Sequence, residues 1–502
     1  MSLKKNILAN YASQFYVTLI GILMVPLYIK YMGAEAYGLV GFFGMLQALF
    51  NILDMGLTPT IARETARFRG GATDALSYRS LIRVLEWVFL SVALVGGSVI
   101  FALSGFIAQD WLQVSKLSEL EVQIAVKLMS IIFAIRLMCG LFRGSISGSE
   151  RVVWLCGFNS TIATFRFIGV LPLLLFIGVT PTIFFGFQLL VAVMELGVLL
   201  LYAYYLFPAI PKGEQLSWNW AQLKPTLKFS LTIATTTSVW VLVTQTDKLV
   251  LSKILPLAEY GYFTLAVLVA SSIMMVGGPI SGAVIPRLTR LKAAGDEEGV
   301  IALYRKITQL TAITTTSAAS ILAMFSEQVL WAWTGDVALA AKASSVLTLY
   351  AIGNGFLTIT ALQYYLQFAN GDLRYHLIGN GFFIFIIIPS GIMATVKFGM
   401  LGAAWVWLIS NGLMFFLWVP LVHLKFIKDM HRAWLVWDVG VISLLAIVAT
   451  IFLASTSTWP QNQLGVALQL VLFGLMTLIV ASIGSGWARE WVRSLWYEFK
   501  IR

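Results

Sequence analysis

The chain has 502 residues, 59% of them hydrophobic and only 11% charged, whereas soluble globular proteins carry roughly 25% charged residues. So few charges cannot cover a water-soluble fold of this length. A mean hydropathy of +0.86, with 17 Trp, 17 Tyr and 33 Phe, predicts an all-α polytopic membrane protein.

The net charge is +11, from 34 Lys+Arg against 23 Asp+Glu. In a soluble chain this would suggest nucleic acid; here it is read as membrane topology, and no nucleic-acid partner is expected. Cys139 and Cys156 both sit in apolar stretches, and His376, His423 and His431 are scattered. Neither set has metal-ligand spacing, so no metal or cofactor is expected. The opening MSLKKNILANYASQF leads into an apolar run too long for a signal-peptide core, with no A-x-A-like site after it. It predicts an uncleaved first helix.

A span needs about 20 mostly apolar residues. That rule predicts fourteen, near 7–29, 38–61, 80–104, 122–144, 153–175, 183–206, 226–246, 259–282, 306–325, 344–369, 377–395, 399–422, 437–455 and 465–483. An even count puts both termini on one side. With them inside, the inner segments hold 25 Lys/Arg and the outer ones 7, which orients the bundle with cytoplasmic termini. The inner clusters include Arg63, Arg67, Arg69, Arg79 and Arg83 after the second span, and Arg287, Arg290, Lys292, Arg305 and Lys306 after the eighth. Outer loops are short and leave no room for an external catalytic domain; the inner linkers carry no phosphate loop or dinucleotide fingerprint.

Sliding the chain by 223 residues places Lys30, Tyr37 and Gly38 on Lys253, Tyr260 and Gly261, and Arg67 and Arg69 on Arg290 and Lys292. Spans one to six and seven to twelve therefore read as a parallel repeat. The expected division is 1–224, 225–435 and a 436–502 appendix of two spans. Its tail, 487–502, alternates Trp and Arg and is expected along the interface.

Ionisable groups at bilayer depth are costly, so each is a functional candidate. Asp54, Arg136, Arg166 and Glu195 lie well inside predicted spans. Their polar neighbours recur at helical spacing. Gln47, Asn51, Asp54 and Thr58 form one stripe; Arg136 pairs with Arg143, Asn159 with Arg166, and Gln188 with Glu195, each seven apart. Asn6, Asn10 and Ser13 repeat the pattern in the first span, and Asn354 with Thr358 in the tenth. These stripes predict a hydrated cationic cavity; interhelical ion pairs that lock the first half are the competing reading. Arg79, Arg83 and Glu86 read as a snorkelling cluster at the entry to span three. Gly140, Gly144 and Gly148 predict close helix packing. Pro26, Pro59, Pro172, Pro279 and Pro389 predict bent helices.

The pattern of residues 6–14, the segments PLYIKYMGAEAYGLVGF and LDMGLTPTIARETAR, and in the second half TDKLVLSKILPLAEYGYFTLA, IPRLTRL and EQVLWAWTGDVALAAKASSVL resemble the polysaccharide-biosynthesis (O-antigen type) flippases. These belong to the multidrug/oligosaccharidyl-lipid/polysaccharide exporter superfamily; the fourteen-span count is more similar to its peptidoglycan-precursor flippases. The resemblance implies transfer of an undecaprenyl-diphosphate-linked oligosaccharide from the inner to the outer leaflet of a bacterial cytoplasmic membrane, for surface polysaccharide such as the O-antigen of lipopolysaccharide. It implies alternating access by two six-helix lobes, driven by a proton or sodium gradient rather than ATP, alongside polysaccharide assembly machinery. It also implies a cationic lumen at Arg136, Arg143 and Arg166, with Arg287 and Arg290 at the inner end of span eight, and a lipid-tail groove helped by the last two spans. Asn10, Gln47, Asn51, Asn159, Gln188 and Asn354 are the expected polar lining. Asp54 and Glu195 either hold the arginines or carry the coupling ion; the expectation favours pairing for Asp54 and coupling for Glu195. A multidrug or organic-cation antiporter of the same superfamily, a membrane glycan polymerase and a non-transporting scaffold are the alternatives. Cysteines introduced at 62–79 are expected to be shielded from impermeant external reagents, and labelling from outside would invert the orientation.

Overall fold

The computed structural model describes residues 3–210, 214, 220–486 and 488–489. Apart from one isolated bridge between Gln113 and Pro256, the regular structure among the described residues is helical. Among the described residues, twelve candidate spans are long and apolar enough to cross a membrane. Large side chains such as Phe176 (87% exposed) and Phe385 (81% exposed) point outward, an arrangement suited to lipid rather than water. The candidate Arg374–Phe426 contains a break at Gly399, where φ is 59°, between the two stretches read as spans eleven and twelve. The stretch read as span seven lies in the helix Trp220–Ile254, which is outside the twelve. The tail 487–502 lies almost wholly outside the described residues.

Chain contacts divide the protein into two compact units, Met1–Gly261 and Tyr262–Arg502. The first contains α1 (Leu3–Met32), α2 (Ala34–Phe50), α3 (Leu57–Arg69), α4 (Ala75–Ala102), α5 (Glu119–Gly148), α6 (Val152–Phe167), α7 (Val170–Phe176), α8 (Pro181–Leu206) and α9 (Trp220–Ile254). Helix α5 is central: it packs on α3, α4 and α8, while α1 packs on α6. Asp74 caps α4, its carboxylate accepting from Ser77 N at 2.9 Å, and these hydrogen bonds hold it below the usual carboxylate range.

The glycine stripe on α5 explains the closeness of α3. A Cβ at Gly140 would lie 2.7 Å from Thr58 Oγ1, one at Gly144 would lie 2.6 Å from Thr58 O, and one at Gly148 would collide with Ala62 O. Small residues thus let two backbones touch where a hydrophobic driving force is weak.

The second predicted span is not one helix. After α2 the chain tightens into a 3₁₀ turn, Asn51–Asp54, then reverses through Met55 (φ 47°) and Gly56 (φ 68°) before α3 begins. The stripe of Gln47, Asn51, Asp54 and Thr58 therefore does not follow one continuous helical face. The left-handed turn at Gly56 breaks it, a conformation glycine adopts without steric cost. Ser230 Oγ of α9 donates to the Met55 carbonyl at 2.7 Å and satisfies that break. The fifth predicted span is likewise two pieces, α6 and α7, interrupted at Ile168–Gly169. Pro172 lies just beyond the break, and a proline removes one ladder donor and disfavours helix in the residue before it.

Residues beyond α9 remain tied to this unit. Leu257 N donates to Gln113 O at 2.9 Å, Trp111 Nε1 donates to Ser252 Oγ at 2.9 Å, and buried Glu35 accepts from Ser115 N and Lys116 N. The repeat-matched Gly38 and Gly261 meet here: a Cβ on Gly261 would lie 3.1 Å from Gly38 N. At the opposite end Arg79 lies over the rings of Tyr204 and Phe207, 5.2 and 5.0 Å from their centroids. Tyr204 donates to Glu86 at 2.7 Å.

Helix α10 (Leu257–Ser271) starts in the first unit and continues into the second, which then holds α11 (Gly277–Ala293), α12 (Glu297–Met324), α13 (Val337–Thr360), α14 (Leu362–Ala369), α15 (Arg374–Leu413), α16 (Val419–Phe426), α17 (Val441–Thr456) and α18 (Gln463–Gly484). Helix α12 packs on α13 and α17, and α17 on α18. Asp438, fully buried in a π-helical turn before α17, accepts from Arg305 Nε at 2.7 Å, Arg305 Nη2 at 3.1 Å and Gln309 Nε2 at 2.6 Å. Asp438 stands at the head of the predicted span 437–455, where apolar spacing gives no sign of that burial.

Gly148→Val is expected to destabilise the protein by about 1–3 kcal/mol, as overpacking does, because α3 must move away. Gly157→Ala, whose Cβ would meet nothing within 4 Å, is expected to be neutral. Detergent-solubilised melting temperatures of the two variants check this.

Candidate functional site

Three helices of the first unit carry a cluster of polar and charged side chains, Glu195 buried and the arginines half-buried, and each delivers two of them at the i, i+7 spacing seen in the sequence. Arg136 and Arg143 come from α5, Asn159 and Arg166 from α6, and Gln188 and Glu195 from α8. Two turns of helix return a side chain to the same face, so each helix presents a pair.

Glu195 is the centre. It is 3% exposed, and its two oxygens are taken by different guanidiniums: Arg143 Nη2 at 2.5 Å from Oε1 and Arg166 Nη2 at 3.0 Å from Oε2. Arg143 also donates to Asn159 Oδ1, and Gln188 Nε2 donates to the Arg166 carbonyl at 2.9 Å. A buried carboxylate is tolerated when both oxygens are engaged by charge-assisted donors. The two arginines retain 27% and 26% of their side-chain exposure, because their other edges face a cavity of about 360 Å³ lined by Asn10, Ser13, Gln14, Arg143, Asn159 and Arg166 among others.

Arg136 stands apart from that lining. Its Nη1 donates to Gln47 Oε1 at 3.1 Å and its guanidinium lies 5.1 Å from the centroid of the Phe43 ring. Its Nε and Nη2 are buried with no protein partner among the described residues. Three arginines and one glutamate leave this cluster with an excess of two positive charges.

Asp54 has a different environment from the one expected. Its carboxylate accepts from Thr58 Oγ1 at 2.6 Å and from Thr58 N at 3.3 Å, and among the described residues it forms no ion pair. It holds the start of α3, whereas Glu195 holds the arginines. Asn51 is exposed and accepts from Gln47 Nε2 at 3.2 Å. Asn354 belongs to the second unit, where it is buried and its Oδ1 accepts from Trp407 Nε1 at 2.9 Å. Arg287 and Arg290 are exposed on α11, also in the second unit.

The second unit has its own cavity, about 550 Å³, walled largely by apolar side chains from α12, α13, the turn between α15 and α16, and the segment leading into α17, including Phe356, Phe415, Leu435 and Ile447. Sequence patterning did not reveal it, since its lining is ordinary apolar spacing on four separate segments.

Residues 3–292 match the family described as polysaccharide biosynthesis protein. The chain belongs to that family. No curated protein matches it in sequence. Among solved structures it is similar to the lipid II flippase MurJ in an inward closed conformation, with a TM-score of 0.71 at 15% identity over 98% of this chain and 99% of that one. It is also similar to an inward-facing multidrug resistance MATE family transporter of the MOP superfamily, with a TM-score of 0.65 at 13% identity over 82% and 96%. A MOP superfamily transporter from Pyrococcus furiosus, described for the reverse polarity of its binding pocket, gives a TM-score of 0.54 at 15% identity over 84% and 96%. At these identities the likeness establishes the fold. This member of the polysaccharide biosynthesis family is thus a multi-pass membrane protein with the fold seen in MurJ and MATE transporters.

Proposed function

We propose that the protein moves an undecaprenyl-diphosphate-linked oligosaccharide from the cytoplasmic to the periplasmic leaflet of a bacterial inner membrane, for assembly of a surface polysaccharide of the O-antigen kind. The observation that carries this reading is the Arg143–Glu195–Arg166 cluster on the wall of a polar cavity. A diphosphate cannot enter hydrocarbon bare, because an isolated charge there costs several kcal/mol or more. Guanidinium is suited to it, since its planar fork binds phosphate oxygens bidentately and stays charged. Asn10, Ser13, Gln14 and Asn159 beside the arginines offer the hydrogen bonds a sugar needs. The apolar cavity of the second unit has the chemistry of an isoprenoid groove. Fourteen spans with cytoplasmic termini, two repeat-related lobes over 1–224 and 225–435, a 436–502 appendix and coupling to a proton or sodium gradient complete the proposal. Arg287 and Arg290 are assigned to the cytoplasmic entry and Arg136 to the ground behind the cavity.

The likeness to a multidrug MATE transporter supplies the second reading, export of organic cations. A cluster with two excess positive charges would repel such a substrate, so the anionic reading is preferred.

In cells whose own copy is deleted, Arg143→Ala and Arg166→Ala are each expected to abolish surface glycan while the protein still inserts, read by glycan immunoblot beside a membrane-fraction blot. Normal glycan in both variants would remove the cationic-cavity mechanism.

A further inference from the structure

Glu195 is costly where it stands, whereas the half-buried Asp54 is served by a single threonine. What distinguishes Glu195 is that its two oxygens engage the two arginines that also line the cavity, Arg143 and Arg166. An anion entering that cavity meets guanidiniums already engaged by an internal anion.

The geometry points to Glu195 as a resident counter-anion, which holds Arg143 and Arg166 while the cavity is empty, yields them to a substrate diphosphate, and passes to the free N–H donors of Arg136. This rests on the diphosphate reading above and adds how the same site is loaded and emptied.

Three observations support the exchange. First, a carboxylate with 3% exposure cannot be left unpaired once its arginines turn to a ligand, because an uncompensated buried charge is strongly destabilising. It needs another cation within reach. Second, Arg136 is that cation: it lies two turns from Arg143 on the same face of α5, the helix that packs on α8. Its Nε and Nη2 are buried without a protein partner among the described residues. Third, among the described residues the charged side chains in contact with Glu195 are Arg143 on α5 and Arg166 on α6, and α7 carries no charged residue. Asp54, the acid that approaches α5 at Gly140, is held by Thr58, and among the described residues no acid is ion-paired to Arg136. The exchange conserves charge on each arginine, so the cluster is never without a counter-anion and substrate release is driven by the returning carboxylate rather than by breaking bare ion pairs.

Inorganic pyrophosphate titrated calorimetrically into the purified full-length protein in nanodiscs tests this. Glu195→Gln is expected to bind about tenfold tighter than the natural protein, since no internal anion must be displaced. Arg136→Gln is expected to bind about tenfold weaker, because the displaced carboxylate has nowhere to go, and this loss should vanish in the Glu195→Gln background. Should Glu195→Gln not fold, Glu195→Asp retains the charge, cannot span both arginines and is expected to bind about threefold tighter. Folded Glu195 variants that bind no tighter would overturn the counter-anion role. An equal Arg136→Gln loss in both backgrounds would overturn the transfer to Arg136. Either result leaves the diphosphate reading intact, whereas pyrophosphate binding to none of the proteins would overturn both.

Discussion

A carboxylate placed at membrane depth must have its charge answered, and the first unit is arranged around that requirement. Glu195 receives one guanidinium from α5 and another from α6, so three helices that the chain visits in sequence are tied at one point. The same interaction sets the electrostatics of the cavity. Because one acid answers two arginines, with a third nearby, the site keeps an excess of positive charge even when its internal ion pairs are made.

That arrangement depends on packing which has little to do with charge. Helix α5 can bring Arg136 and Arg143 to α8 only because its other face lies close against α3, and the stripe Gly140, Gly144 and Gly148 permits the approach. The start of α3 is set in turn by the left-handed residues Met55 and Gly56 and by Asp54 accepting from Thr58. Asp54 thus shapes the backbone beside the site, and Glu195 governs the side chains within it. Two carboxylates of similar sequence context have been given different work by their neighbours: one has a hydroxyl and an amide, the other two cations. In the second unit Asp438 does for α12 and the turn before α17 what Glu195 does for α5, α6 and α8, with Arg305 and Gln309 as its donors. There it fastens a fold rather than a cavity wall.

Much of this was legible in the sequence where periodicity carries the information. The apolar runs marked the helices, and the i, i+7 pairs Arg136/Arg143, Asn159/Arg166 and Gln188/Glu195 marked the faces that converge. The motif resemblance led to the family that residues 3–292 match. Three features were not legible. The break at residues 51–56 is hidden because one glycine and one left-handed methionine interrupt a run whose hydropathy stays continuous. Which acid would hold the arginines depends on the rotation of α8 about its axis relative to α5 and α6, and spacing within one helix cannot report that. Asp438 sits at the head of its span, where a charge usually reaches water; its burial follows from the π-turn and from Arg305 and Gln309 on another helix.

The central claim is that a positively biased cavity carries an anionic lipid-linked glycan. The most direct measurement is leaflet exchange of a polyprenyl-diphosphate oligosaccharide in proteoliposomes, read by its accessibility to an externally added glycan-modifying enzyme, with a fluorescent organic cation as the parallel substrate. The account predicts exchange of the glycolipid that is lost in the Arg143→Ala/Arg166→Ala double variant, and no movement of the cation. Cation transport without glycolipid exchange would contradict it.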